Sequence, residues 1–164
     1  MIVIPQARDR VSIPLVAAGG IADARGMLAA FALGAEAVQM GTRFICTVES
    51  CAHLNVKQAI INACASDTLV TGNITGLPVR CLRNRMSEEF AALEKTGKTK
   101  MEMAMFGSGK MKQAFELGDV LDGSIMAGQV SGLIHDIPTC AQLIKDMVSH
   151  LGDELERINE LIKS

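Results

Sequence analysis

The chain contains neither tryptophan nor tyrosine, and aromatic residues make up only 3% of its 164 positions. Ten methionines sit in that otherwise aliphatic composition, and they read first as fillers of irregular core gaps. Charge of one sign is also missing: a net charge of −2 with 21% charged residues leaves no electrostatic case for nucleic acid. The small basic groups Arg80, Arg83, Arg85 and Lys95, Lys98, Lys100 read as solvated faces and loops. No apolar run approaches ~18 residues and no charged-then-apolar leader opens the chain, so membrane spanning and secretion are not expected. The five cysteines, Cys46, Cys51, Cys64, Cys81 and Cys140, are odd in number and lack C-x-x-C spacing. They read as reduced residues of a cytoplasmic protein, with no metal site and no disulfide frame. His53, His135 and His150 are scattered, without a carboxylate or second histidine at ligand spacing. Phe106-Gly107-Ser108-Gly109-Lys110 resembles part of a P-loop. The glycine such a loop requires is replaced by Ala104, however, and Met111 stands where Ser or Thr would follow the lysine, which excludes a nucleotide triphosphate site.

Ile13 to Phe44 carries the strongest signal. Ile13 to Ala18 is an apolar run of the kind found in a parallel strand buried on both faces. Gly19 and Gly20 then allow a sharp turn and a close backbone approach to a bound group. Asp23 is placed to cap a helix whose apolar positions include Met27, Ala30, Phe31 and Leu33, and Gly34 is placed to stop it. Ala37 to Met40 reads as the next strand, and Gly41-Thr42 offers a bare amide and a hydroxyl. Two such turns, one β-α repeat apart, fall at the same carboxyl edge of a parallel sheet, where several N–H groups can hold one phosphate.

The segments AAGGIADARG and QMGTRF, followed by GDVLDGSIMAGQVSGLI from Gly118 to Ile134, resemble in order and spacing the glycine-rich loops of the nitronate monooxygenase (2-nitropropane dioxygenase) family and its sibling, enoyl-acyl carrier protein reductase II. The resemblance implies an α/β fold: the C-terminal part of a (β/α)8 TIM barrel, strands seven and eight, with a small inserted α+β lid and C-terminal helices. In such barrels the loops after strands seven and eight hold phosphate. It also implies FMN as cofactor, with Gly19, Gly20, Gln39, Met40, Gly41, Thr42, Gly128 and Gln129 as its binding residues. The family's catalytic histidine would lie upstream of Met1, so no catalytic residue is expected in this chain. Charge-assisted hydrogen bonds to the flavin phosphate would be worth about 1.5 to 3 kcal/mol each. Gln129 could reach the phosphate or a substrate, or pin the lid, and Arg43 could assist the phosphate or form a surface ion pair. The implied reaction is oxidation of an alkyl nitronate with dioxygen. The alternative is reduction of an enoyl thioester by a reduced nicotinamide. Two further alternatives are a catalytically dead half-barrel and a non-flavin phosphate barrel related to inosine monophosphate dehydrogenase.

The resemblance divides the chain into barrel units over 1–44, a lid or substrate domain over 45–134, and C-terminal helices over 135–164. Within the lid, Asn55 to Ala65 reads as a helix, Thr68 to Thr71 and Leu77 to Leu82 as strands, and Ser87 as the cap of a helix running to Leu93. A further helix is expected from about Lys110 to Leu117. Met101, Met103 and Met105 could form a yielding apolar wall for an aliphatic substrate. Pro138 is placed in the first turn of the next helix, and Leu151, Leu155, Ile158 and Ile162 mark an amphipathic terminal helix needing a partner surface. Two barrel strands without neighbours leave open edges, so the isolated chain is expected to self-associate or to pair with the missing half.

Overall fold

The computed structural model of the protein describes residues 2–163. Met1, which opens the first expected segment, and Ser164, which closes the last, lie outside the described residues. The chain begins with α1 (Val3–Arg8), β1 (Val16–Ala18), α2 (Ala24–Ala32), β2 (Ala37–Gln39) and the short α3 (Thr42–Ile45). It continues through α4 (Leu54–Ile61), β3 (Thr68–Thr71), β4 (Val79–Leu82), α5 (Arg85–Leu93), α6 (Lys100–Gly107), α7 (Lys110–Phe115) and α8 (Cys140–Lys163). The class is α/β, as expected.

β1 and β2 pair in parallel, Val16 opposite Ala37 and Ala18 opposite Gln39. The helix between them is set by local chemistry at both ends. Asp23 accepts a hydrogen bond from the Gly26 amide at 3.1 Å. At the other end Gly34, at φ 104°, donates to the Phe31 carbonyl and Ala35 donates to Ala30, the paired bonds of a Schellman ending. The strand before it departs from expectation. Only Val16–Ala18 is paired, and Ile13 and Val16 are 67% and 53% exposed. A strand covered on both faces needs neighbours and helices on each side, and among the described residues β1 pairs with β2 alone.

One buried cluster joins α2 and β1 to α8 through Ala17, Met27, Ala30, Leu143 and Met147. α8 is one helix of 24 residues, not two, and Gly152 within it costs only about 1 kcal/mol, too little to break a helix already packed. Its cap is the Thr139 hydroxyl, which accepts from the Gln142 amide at 3.1 Å. Pro138 therefore stands outside the first turn. The carboxylate of Glu49 accepts from the Cys140 amide, placing negative charge at the helix N-terminus. The amphipathic end of α8 packs only partly: Leu151 joins the α2 cluster, while Leu155 and Ile162 are exposed.

A second cluster contains Val56 and Ile60 of α4 with Cys46, Ile125 and Ile134. β3 and β4 form an antiparallel hairpin, extended by an isolated bridge between Cys81 and Met126. α5 starts at Arg85, so Asn84 is its cap, while Ser87 sits three residues on and its hydroxyl oxygen accepts a hydrogen bond from the Asn84 amide. Met86, Phe90 and Met103 form a third cluster. The methionine wall weighed as an alternative to core filling does not form: Met103 is buried there, whereas Met101 and Met105 are each 70% exposed. Residues two apart on a helix lie on opposite sides, so the three could not share one face.

The cap of α6 responds to pH. Glu102 accepts from the Thr99 amide and hydroxyl and from Lys98, and these bonds, the Thr99 amide first, hold its carboxyl down at about 2. A depressed carboxyl contributes stability that is fully present above its ordinary range near 4.5 and is lost as pH falls through about 2. A carbon-13 titration of the Glu102 carboxyl should show that low midpoint, and Thr99→Ala should raise it toward the ordinary value. An ordinary midpoint in the parent would remove the capping box.

Candidate functional site

Parallel pairing settles how the two glycine turns relate. With Ala18 opposite Gln39, Gly19-Gly20 and Met40-Gly41 leave neighbouring strands at the same carboxyl edge, about 4.8 Å apart across the ladder. Gly19 and Gly20 take φ of 96° and 76°, a conformation that L side chains rarely adopt. A Cβ at either, or at Gly41, would find no atom within 4 Å. The glycines are required by backbone shape at the first turn, and the space in front of both turns is open. The amides of Gly20, Gly41 and Thr42 take part in no backbone hydrogen bond among the described residues. Asp23, three residues past Gly20, is already engaged by Arg25 and the Gly26 amide. Partial burial pushes it up, but hydrogen bonds from Arg25 and the Gly26 amide outweigh that and hold it below its usual value. Both turns thus present unbonded amide donors.

The glycine-rich segment from far along the chain closes on this edge. The Gly128 amide donates to the Thr42 hydroxyl oxygen at 3.0 Å, across 86 positions of sequence. Gly128 has an ordinary φ of −85°, and a Cβ there would sit 3.7 Å from Thr42 Oγ1, so its amide matters here and its small size does not. Gln129 is exposed at the start of a 3-10 turn, and its side chain makes no hydrogen bond among the described residues; pinning of the lid by Gln129 is not observed. Gln39 is exposed at the end of β2. Met40 turns toward the α2 and α8 cluster, which leaves its backbone as the part near the turn. A hollow of about 620 Å³ has Gly19 and Gly20 on its wall but also Val3, Ala7 and Leu33; it runs between α1 and α2 and does not include Gly41 or Thr42.

Behind the turn lie side chains whose roles the sequence hid. Arg43 is not a surface ion pair: its side chain is 6% exposed, and it donates to the Asp136 carboxylate at 2.7 Å and the Asp136 carbonyl at 3.2 Å, anchoring the segment that leads into α8. Lys57 is buried and donates to the carbonyls of Thr47 and Ser50 at 2.6 and 2.9 Å, tying α4 to the loop after α3. Its sequence signal was a lysine beside Val56 and three residues before Ile60, on the inward side of a helix. Burial pushes the Cys46 thiol up to about 11, which keeps it protonated and unreactive at neutral pH.

Two adjacent β-α turns, with unbonded amides at one carboxyl edge of a parallel pair, define an α/β protein with two glycine turns facing one open side. The chain belongs to the nitronate monooxygenase family, whose model matches residues 1–150. A probable nitronate monooxygenase of Staphylococcus haemolyticus is 48% identical over 94 residues, 57% of this chain and 26% of that protein. FabK from Thermotoga maritima superposes with a TM-score of 0.91 at 41% identity, over 96% of this chain and 50% of that one. Nitroalkane oxidase from Streptomyces ansochromogenes superposes with a TM-score of 0.77 at 29% identity, over 94% of this chain and 44% of the other. The chain thus spans about a quarter of the curated relatives' length and about half that of the solved structures. Among the described residues, no helix is long and apolar enough to cross a membrane.

Proposed function

We propose that the chain is the FMN-phosphate-binding part of a cytoplasmic flavin-dependent oxidoreductase, a nitronate monooxygenase acting on alkyl nitronates with dioxygen. In this reading β1 and β2 are strands seven and eight of a (β/α)8 barrel. Residues 1–44 carry the phosphate turns, residues 45–134 form the lid and residues 135–164 pack on the barrel. The observation that carries it is the set of unbonded amides at the edge shared by the two turns. A phosphate dianion leaving water needs its lost hydrogen bonds replaced, and the amides of Gly20, Gly41 and Thr42, which make no backbone bond, fit that need. Gly19 shapes the turn, the Thr42 hydroxyl adds a fourth donor, and Gln39, Met40, Gly128 and Gln129 complete the proposed surround. When bound, FMN supplies the redox chemistry and the protein supplies orientation and electrostatics. The unpaired outer edge of β1 and the hollow beside it fit the docking of further barrel strands, from another stretch of chain or a second copy.

A second reading, reduction of an enoyl thioester, is supported by the 41% identity to FabK over nearly the whole chain, FabK being an enoyl-acyl carrier protein reductase II. Propyl nitronate with dioxygen, set beside crotonyl thioester with a reduced nicotinamide, separates the two in the complete enzyme. The cofactor part is tested by flavin titration. The protein should bind FMN, and Thr42→Val should weaken it about 10- to 100-fold, the equivalent of one charge-assisted hydrogen bond. Protein that stays colourless after incubation with FMN would sink the flavoenzyme reading.

A further inference from the structure

We infer that Thr42 is a positioning residue that couples the phosphate of a bound flavin to the lid. This inference rests on the cofactor reading above and goes beyond it. The observation is the bond in which Gly128 donates to Thr42 Oγ1. A hydroxyl has one proton to donate and two lone pairs. One lone pair is taken by Gly128, and the proton goes to no acceptor among the described residues. A phosphate at the strand edge would complete the set: Gly128 N–H to Thr42 oxygen, and Thr42 O–H to phosphate oxygen. Hydrogen bonds in such a chain polarise and strengthen one another.

Gly128 is not a loose end. Its carbonyl accepts from the Ser131 hydroxyl at 2.8 Å, and Ser131 is fully buried. Immediately before it the chain runs along the lid hairpin. Ala127 donates to the Arg80 carbonyl at 3.3 Å, Met126 bridges Cys81, and Leu82 donates to the Ile125 carbonyl at 2.9 Å. A continuous hydrogen-bonded line therefore runs from the Thr42 hydroxyl through residues 125–128 into β4. A ligand that binds the closed arrangement in preference to the open one stabilises it by that difference. Phosphate on Thr42 favours the arrangement in which Gly128 is bonded, and with it the seating of the lid.

The test is amide hydrogen exchange, read residue by residue by NMR, with FMN and with riboflavin, which lacks the phosphate. Saturating FMN should slow exchange at Gly128, Ala127 and Leu82 at least about fivefold, the lower end of ordinary coupling, in the parent protein and in Thr42→Ser. Riboflavin should leave these rates unchanged, and Thr42→Val should lose the FMN effect even at saturation. Equal protection by riboflavin, protection surviving in Thr42→Val, or FMN bound without protection would each overturn the coupling while leaving the cofactor reading in place. Failure of FMN to bind the parent would overturn both. The riboflavin comparison uses unaltered protein, so the outcome does not depend on whether Thr42→Val folds.

Discussion

Replacing Gly123 with alanine is expected to destabilise the protein by about 3 kcal/mol, the upper end of the range for overpacking. A Cβ at this position would lie 2.4 Å from the Asp119 carbonyl oxygen, 2.6 Å from the Ala114 nitrogen and 2.7 Å from the Ala114 Cα. All three are backbone atoms, so no side-chain rotation relieves the collision. α7 and the loop from Asp119 would have to part, and that loop leads directly into residues 125–128. Urea unfolding should show a lowered midpoint at an unchanged slope. An unfolding free energy within about 1 kcal/mol of the parent would mean that this loop yields far more readily than a close-packed interior does.

Asn84→Ala should have an effect of similar size through polar groups alone. The Asn84 side-chain oxygen accepts from the Ser87 amide at 2.9 Å, and its amide nitrogen donates to the Val120 and Gly123 carbonyls, each at 2.8 Å. Loss of the cap costs about 0.5 to 2 kcal/mol, and each lost donor about 1 kcal/mol, for a total near 3 kcal/mol. The contributions can be separated. Asn84→Ser keeps a cap and loses the donors, so it should fall between parent and alanine. Asn84→Asp keeps the cap acceptor but turns a second oxygen toward two carbonyls, and it should be at least as unstable as Asn84→Ala. Recovery of parent stability by aspartate would show that the cap alone holds this junction.

Residues that bond to near neighbours were the readable ones. Asp23 and Gly34 bound α2 as their types require, because each satisfies amides or carbonyls within a turn of itself. The β3 strand was readable for the same kind of reason, from β-forming residues between polar breaks. The cap of α5 was misplaced by three residues because Asn84 and Ser87 form a reciprocal pair, and either member alone looks like a cap. Met101, Met103 and Met105 recur at a spacing that suggests a patch in a list of residues but divides between two sides of α6, and only Met103 fills the core.

Taken alone, the sequence determined the local grammar of the chain: glycines with positive φ at the first turn, a capped helix between two short apolar strands, and a second glycine turn one repeat later. These follow from steric freedom and hydrogen bonds that close within a few residues. Tertiary structure alone decided that Gly128 donates to Thr42 and that Arg43 and Lys57 are buried anchors. Each of those depends on strand register and on the folding together of segments far apart in the chain, and no property of an isolated residue type specifies which distant amide, carboxylate or carbonyl it will meet.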